Sequence, residues 1–204
     1  MVLSRGIDWR WFGLKALAHI LALSPAAWLI YRALQDSLGA DPVAALTHST
    51  GDWTLRLLLL GLAMTPLRLI IKQSWPIRFR RLIGLYAFFY ACLHFAVYLF
   101  LDLGSYWSQI GADIIKRPFI TVGFTAWLLL IPLALTSNQW MMRKLKRNWQ
   151  KLHKLVYAIG ILGVLHYWWL VKSDVREPLI YAGILILLFA IRLFYRVRPK
   201  RPTA

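Results

Sequence analysis

The sequence contains the stretch RRLIGLYAFFYACLHFAVYLFLD (residues 80–102), an apolar run that starts with two arginines and ends in an aspartate. A helix needs about 20 mostly apolar residues to cross the hydrocarbon layer of a membrane. The stretch is one of six such runs, which cover residues 12–31, 54–71, 82–101, 119–136, 152–171 and 178–197. The sequence therefore predicts an all-α, polytopic membrane protein, with six transmembrane helices in a single domain over residues 1–204.

The composition agrees with a membrane protein. Hydrophobic residues make up 59% of the chain and charged residues only 16%, whereas soluble domains are about a quarter charged. A net charge of +17 would suggest nucleic acid binding in a soluble protein, but here the basic residues cluster between the apolar runs, so we expect no nucleic acid partner. The single cysteine, Cys92, excludes an internal disulfide and CxxC metal sites.

Lysine and arginine concentrate on one side of the six predicted spans, which the positive-inside rule assigns to the cytoplasm. That side holds 19 of the 25 basic residues: Arg5, Arg10, Lys15, Arg68, Lys72, Arg78, Arg80, Arg81, Arg143, Lys144, Lys146, Arg147, Lys151, Lys154, Arg192, Arg196, Arg198, Lys200 and Arg201. The other side holds seven of the eight acids: Asp36, Asp41, Asp52, Asp102, Asp113, Asp174 and Glu177. Both termini are therefore predicted to be cytoplasmic. The first span is predicted to be retained, because no small-x-small cleavage site follows it.

Ionisable side chains inside a membrane span are costly, so the histidines of the predicted spans are candidate functional residues. His94 lies 13 residues past Arg81, and His166 lies 13 residues past His153, about 20 Å along a helix in each case. Spans 3 and 5 run in the same direction, which places His94 and His166 at the same depth. Two neutral imidazoles that face each other across a helix bundle can be the axial ligands of a haem, so this pair is a candidate haem site.

His153, near the cytoplasmic edge, has no histidine opposite it, and the span-3 residues at its depth are Arg80 and Arg81. Three interpretations of these arginines stay open: membrane anchoring, contact with haem propionates, and axial contact to a second haem held by His153. Arginine's very high pKa makes it a poor iron donor, which disfavours the last. On a straight helix the two histidines of span 5 lie about 140° apart, so a distortion near Gly160 or Gly163 is needed for both to face one gap.

Three further polar residues carry weaker indications. Arg56, in span 2, is a candidate for contact with a haem propionate, with snorkelling to the membrane surface as the alternative. His19 has no histidine at its depth and is predicted to pack between helices. His48 precedes span 2 and is predicted either to cap that span or to contact a quinone or a partner.

Two segments together resemble the ferric-reductase-like transmembrane cytochromes: residues 80–102 and KLHKLVYAIGILGVLHYWW (151–169). More closely, the chain resembles the MsrQ (YedZ) family, the haem-binding membrane subunits of the periplasmic MsrPQ methionine sulfoxide reductase system. The resemblance covers roughly residues 10–195. Its matching stretches include LGADPVAALTHSTGDW (38–53), LLGLAMTPLRL (59–69), KRPFITVGFTAWLLLIPLALTS (116–137), KRNWQKLHKLVY (146–157) and PLIYAGI (178–184).

The resemblance implies a b-type cytochrome of the bacterial inner membrane, with haem ligands at His94, His153 and His166. It implies electron flow from quinol to MsrP, a periplasmic molybdopterin enzyme that reduces methionine sulfoxide in oxidised proteins. The chain would then be the electron-transfer subunit and not the catalytic one. Relatives with four histidines bind two haems, and the fourth position falls here at Arg80 or Arg81, so one or two haems b are expected.

The same resemblance bears on other cofactors and on the electron donor. Some members of the family are described with FMN, for which the sequence shows no motif. The sequence also has no GxGxxG, and about seven residues follow span 6. We therefore expect electrons to come from membrane quinol or from a separate cytoplasmic flavin reductase.

Three other functions stay open. A transporter or channel is disfavoured because the two halves show no repeat and no charged pair is predicted in mid-bilayer. A non-redox membrane anchor would bind no chromophore and would not need His94 or His166. An electron conduit to another acceptor, such as a metal ion, is the hardest to exclude, because the choice of acceptor depends on the periplasmic surface.

Overall fold

The computed structural model describes residues 9–104, 106, 108, 110–171 and 174–197. The described helices are α1 (Trp9–Leu34), α2 (Pro42–Ile71), α3 (Trp75–Val97), α4 (Ile110–Lys116), α5 (Pro118–Leu135), α6 (Gln139–Leu145), α7 (Arg147–Leu152), α8 (Leu155–Leu170) and α9 (Arg176–Val197), with a π-helical turn at Tyr98–Asp102 that continues α3. None of these residues forms a strand, which confirms the predicted all-α fold. Arg5, Arg198, Lys200 and Arg201 of the predicted cytoplasmic side lie outside the described residues.

Five of the described helices are long and apolar enough to cross a membrane: α1, α2, α3 with its π-helical turn, α5 and α9. This confirms a polytopic membrane protein. The predicted span 152–171 corresponds to α8, which has 16 residues and is therefore about 24 Å long, shorter than the hydrocarbon layer of about 30 Å. The count of six spans and the cytoplasmic position of both termini stay predictions.

Helix α2 begins at Pro42, so the helix extends well before residue 54, the predicted start of span 2. The carboxylate of Asp41 accepts a hydrogen bond from the backbone N–H of Ala44 at 2.9 Å, and proline at the first helical position has a backbone angle suited to a helix start. His48 therefore lies inside α2. The prediction that it caps the span is wrong, because Asp41 is the cap.

The connections between helices define two ends of the bundle. The end where α2 passes to α3 and α5 passes to α6 carries lysines and arginines, and we call it the basic end. The opposite end, where α1 passes to α2 and α8 passes to α9, carries aspartates, and we call it the acidic end.

Two apolar clusters hold the bundle together, and α2 contributes to both. The first joins α2 to α3, α5 and α8, with Ala87 and Ile159 almost completely buried. The second joins α2 to α8 and α9 through Leu62, Val164 and Leu185. The helices that carry His94 and His166 therefore pack against the same central helix.

Helix α1 is joined to α3 through the fully buried side chain of Tyr90. The Tyr90 hydroxyl accepts a hydrogen bond from the backbone N–H of Ala26 at 3.0 Å and donates one to the carbonyl of Ala22 at 2.8 Å. In a regular helix the N–H of Ala26 would donate directly to the carbonyl of Ala22. Here, next to Pro25, the Tyr90 hydroxyl bridges the two groups instead.

A second proline shapes α2. Pro66 has no N–H to donate to the carbonyl of Leu62, one turn earlier. Arg192 of α9 donates to that carbonyl instead, and also donates to the Tyr157 hydroxyl at 3.2 Å. Arg192 therefore satisfies a carbonyl that the proline leaves free.

Candidate metal centre

The structure brings His94 of α3 and His166 of α8 together, as their matched depth predicts. Their ring centroids are 6.1 Å apart and their ring planes are inclined at 80°. Four helices surround the pair: α3 packs on α2, and α8 packs on α5.

Each imidazole is held by a backbone carbonyl of the neighbouring helix. His94 Nδ1 lies 3.0 Å from the carbonyl oxygen of Thr47 in α2, and His166 Nδ1 lies 2.7 Å from that of Phe119 in α5. A carbonyl only accepts, so both Nδ1 atoms carry the proton and both Nε2 atoms carry the lone pair. Within the described part of the chain, neither Nε2 makes a hydrogen bond. This is the arrangement that metal-ligating histidines adopt.

A glycine stands four residues after each of these carbonyls. A Cβ added to Gly51 would lie 3.1 Å from His94 Cε1, and one added to Gly123 would lie 2.7 Å from His166 Nδ1. Residues four apart lie on the same face of a helix, so each glycine opens the space through which the imidazole reaches the carbonyl. We call the two carbonyl–glycine pairs, Thr47 with Gly51 and Phe119 with Gly123, the glycine notches.

The spacing of the two rings fits one metal ion between them. A metal–imidazole bond is about 2.0 Å long and the ring centre lies roughly 1 Å beyond the nitrogen, so two imidazoles that share one metal have centroids roughly 6 Å apart. No group of three or more metal-ligating side chains occurs among the described residues. Two protein ligands match the axial ligand set of a haem, which brings its own four equatorial nitrogens.

The surroundings of His94 suit an apolar cofactor. Phe95, Phe124 and Trp127 form an aromatic wall between α3 and α5, with Phe95 and Trp127 stacked at 4.3 Å. The indole N–H of Trp127 is buried and has no hydrogen-bond partner among the described residues. Because Phe95 follows His94 and Phe124 follows Gly123 in the chain, the wall offers an apolar surface close to the pair.

His153 lies apart from the pair, at the turn between α7 and α8. Its Nε2 is 3.1 Å from the Thr136 hydroxyl, and its ring stacks on Trp149 at 4.0 Å. Because the helix is interrupted there, the expected angle of about 140° to His166 on a straight helix does not apply.

Of the candidate arginines, Arg80 is half-buried and interacts electrostatically with His153, as the depth argument predicts, whereas Arg81 is exposed. Arg56 has protein partners, which the sequence did not predict. Its Nη2 lies 3.2 Å from the carboxylate of Asp52, and its Nε donates to the Tyr181 hydroxyl at 3.0 Å.

His19 behaves as predicted for a residue that packs between helices. Its Nδ1 lies 2.8 Å from the Tyr86 hydroxyl, and this contact joins α1 to α3. The single cysteine, Cys92, is a free thiol of intermediate burial.

The sequence did not single out the residues that hold the two imidazoles. Thr47 and Gly51 fall in the segment predicted as a loop, and Phe119 and Gly123 sit in an ordinary apolar span. One signal was available: the Asp41–Pro42 helix start, which extends α2 far enough to reach His94.

Comparison with known proteins identifies the family of this chain. The family model described as "Ferric reductase like transmembrane component" matches residues 50–164, which include His94. A protein of Xanthomonas axonopodis pv. citri is 57% identical over 93% of this chain and 90% of its own length. Proteins of Xanthomonas oryzae pv. oryzae and Herminiimonas arsenicoxydans are 56% and 48% identical, over 93% and 89% of this chain and 90% and 85% of their own lengths.

All three relatives are named as the haem-binding subunit MsrQ of protein-methionine-sulfoxide reductase. No solved structure matches the chain. The chain therefore belongs to the MsrQ family of ferric-reductase-like transmembrane proteins.

Proposed function

We propose that this chain is a b-type cytochrome subunit of the bacterial inner membrane that passes electrons from membrane quinol to a periplasmic MsrP-type molybdopterin reductase. That partner would reduce methionine sulfoxide in oxidised periplasmic proteins. The observation that carries the proposal is the pairing of His94 with His166 at a spacing that fits one metal ion. The names of the relatives support the cofactor and the methionine sulfoxide reductase system.

The chain's own residues would prepare the site for the haem. The carbonyls of Thr47 and Phe119 hold the Nδ1 protons and orient both rings, so that little ligand motion is needed when the metal changes charge. The bound haem would supply reversible one-electron transfer. Burial between α2, α3, α5 and α8 would keep water from the iron and so favour electron transfer over reactions with solvent.

The position of the pair suits delivery to a periplasmic acceptor. His94 lies four residues before the π-helical turn that ends at Asp102, and His166 lies in the last turns of α8. Both are therefore nearer the acidic end, which the distribution of basic residues predicts to be periplasmic. An acceptor docked at that end would be separated from the haem by only a short stretch of protein.

A second haem at His153 stays a prediction. Arg80 interacts electrostatically with His153, which supports a propionate contact at that position. Thr136 occupies the Nε2 of His153, however, and would have to release it. The haem count per chain tests this directly, since one haem requires only the His94–His166 pair.

Measurements on the same purified protein also test other electron donors and acceptors. A separate flavin reductase would deliver electrons at the cytoplasmic side, and FMN would show as a released flavin on denaturation. A conduit to another acceptor, such as a metal ion, would show the same spectrum but would not be reoxidised through MsrP and methionine sulfoxide.

The test is a reduced-minus-oxidised optical spectrum of the purified protein, with haem measured per chain. We expect a b-type spectrum that is lost in His94→Ala and in His166→Ala. His19→Ala is the matched control, because this intramembrane histidine contacts Tyr86 outside the site. A second haem predicts two haems in the wild type and one in His153→Ala. A colourless wild type, or full haem retention in His94→Ala, would overturn the proposal.

The partner is tested by adding quinol and then MsrP with methionine sulfoxide. We expect the cytochrome to be reduced by the first addition and reoxidised by the second. A cytochrome that stays reduced would exclude MsrP as the acceptor and leave the cytochrome assignment intact.

A further inference from the structure

A polar network lies at the acidic end, where α2, α8 and α9 meet. His48, Asp52 and Arg56 follow each other at four-residue intervals on α2 and so share one face of the helix. Arg56 pairs with Asp52 at 3.2 Å and donates to the Tyr181 hydroxyl of α9 at 3.0 Å. This half of the network joins α2 to α9.

The other half of the network comes from α8 and α9. The Tyr167 hydroxyl donates to the carboxylate of Glu177, and the rings of Tyr167 and Tyr181 are 5.8 Å apart. Glu177 also interacts electrostatically with Asp52 and Arg56. The network thus holds two carboxylates, one guanidinium and the imidazole of His48.

The network is accessible and adjoins the histidine pair. The side chains of Arg56 and Asp52 are 43% and 25% exposed, so a molecule in the membrane can reach them. Asp52 follows Gly51 of the first glycine notch, and Tyr167 follows His166. Neighbouring Cα atoms are about 3.8 Å apart, so Asp52 adjoins the first glycine notch and Tyr167 adjoins the candidate ligand His166.

An apolar groove of about 380 Å³ runs between α8 and α9 on the outer surface. It is lined by Val164, Leu165, Trp168, Ala182, Leu185 and Phe189, among others. Val164 and Leu185 belong to the second apolar cluster, and Tyr167 and Tyr181 pack against that cluster. Trp168 and Ala182 of the lining directly follow Tyr167 and Tyr181 in the chain, so one end of the groove lies one residue from the network.

We propose that the network binds the headgroup of a membrane quinol and that the groove takes its isoprenoid tail. An amphiphile with a polar ring and a long hydrocarbon chain matches this site, because the groove is apolar and has hydroxyl and carboxylate groups near one end. This inference rests on the proposed function, which makes quinol the electron donor, and adds the place where it binds.

The chemistry at this site balances as follows. Both quinol O–H bonds break, and the two protons pass to the carboxylates of Asp52 and Glu177 and from there to the acidic end. Two electrons would leave the ring one at a time, and His94 and His166 would hold the haem that accepts them. The periplasmic acceptor would take the first electron before the second leaves, so that the quinol becomes quinone by two successive one-electron steps. The hydroxyls of Tyr167 and Tyr181 position the ring and do not exchange protons in this scheme.

The carboxylates are tested by rapid mixing of the haem-loaded protein with decyl-ubiquinol, followed by the absorbance of the reduced haem. We expect Asp52→Asn and Glu177→Gln to slow reduction at least tenfold, since a positioned base contributes about 10²–10⁴-fold to a rate. Haem content and the dithionite-reduced spectrum should not change. Asp174→Asn is the matched control, because Asp174 pairs with Arg176 outside the network.

The groove is tested by photolabelling with an azidoquinone and mapping the label by mass spectrometry, a readout that does not depend on electron transfer. We expect label on α8 and α9. Ala182→Phe, which fills the groove, should remove most of it. Gly183→Phe should retain it, because Gly183 is on the same helix and has open space beside it.

The outcomes separate the site from the function. If decyl-ubiquinol does not reduce the wild type while dithionite does, the quinol donor of the proposed function is wrong. If decyl-ubiquinol reduces the wild type, Asp52→Asn and Glu177→Gln at equal rates, quinol remains the electron donor and the proposed binding site is wrong. If a photoactivatable phospholipid labels the groove and the azidoquinone does not, the groove is a lipid site and the proposal is overturned.

Discussion

Replacing Gly123 by alanine tests whether the glycine notches set the position of the metal ligands. The added Cβ would lie 2.7 Å from His166 Nδ1 and 2.8 Å from its Cε1, whereas ordinary contact begins at 3.4 Å. The ring must therefore move by about 0.7 Å, and metal–ligand distances are held to within about 0.2 Å. The movement would also weaken the hydrogen bond from Nδ1 to the carbonyl of Phe119.

An unmade hydrogen bond to a buried carbonyl costs about 1–3 kcal/mol, which corresponds to roughly 5- to 150-fold in a binding constant. We expect haem affinity to fall by a factor in this range. The assay is the rate at which the purified protein loses haem to excess apomyoglobin, together with haem per chain and the optical spectrum of the oxidised form. The spectrum should show loss of the six-coordinate signature, because His166 no longer reaches the iron.

Two comparisons make the result specific. Gly51→Ala should have a smaller effect, since its Cβ would lie 3.1 Å from the ring of His94 and needs a shift of about 0.3 Å. Gly84→Ala, on the same helix as His94, has nothing within 4 Å of its Cβ and should behave as the wild type. Equal haem loss from Gly123→Ala and Gly84→Ala would refute the role of the notch.

Three further substitutions test the packing that positions the site. Tyr90→Phe removes the hydroxyl that joins α1 to α3 and should destabilise the protein by about 1–3 kcal/mol, measured by thermal unfolding in detergent; an unchanged unfolding temperature would contradict this. Pro66→Ala restores a backbone N–H that can donate to the free carbonyl of α2, so Arg192→Met should destabilise the wild type more than it destabilises Pro66→Ala. We expect a coupling of about 0.5–3 kcal/mol in a double-mutant cycle. Additive effects would show that Arg192 does not replace the missing backbone donor. Asp41→Ala removes the cap of α2 and should cost about 0.5–2 kcal/mol, whereas an effect near zero in the same unfolding assay would mean that packing alone fixes the start of the helix.

The sequence predicted the pairing of His94 with His166, but it did not predict which groups hold the two rings. The rise of a helix is regular, so counting 13 residues from Arg81 and from His153 placed His94 and His166 at one level. The partners of the two imidazoles depend on how neighbouring helices are rotated about their axes. Hydrophobic periodicity does not determine this rotation when a helix is apolar all round, as α5 and α8 are.

The start of helix α2 and the break before α8 illustrate the same limit. Hydropathy placed the start of span 2 at residue 54 because HSTGDW (48–53) is polar, yet the helix begins at Pro42. Capping chemistry, which does not depend on hydropathy, carried the correct signal at Asp41. The interruption at His153 had no comparable signal, since Lys151 to Leu155 contains neither proline nor glycine.

The glycine notches have a consequence for how the protein is assembled in the membrane. Each notch and the imidazole it receives belong to neighbouring segments: α2 with α3, and α5 with α8. Each half of the centre can therefore be completed within its own hairpin as the chain leaves the ribosome, the first half before α5 has been synthesised. A haem that enters later would join two preformed halves, so that cofactor delivery, and not helix insertion, becomes the final step of biogenesis.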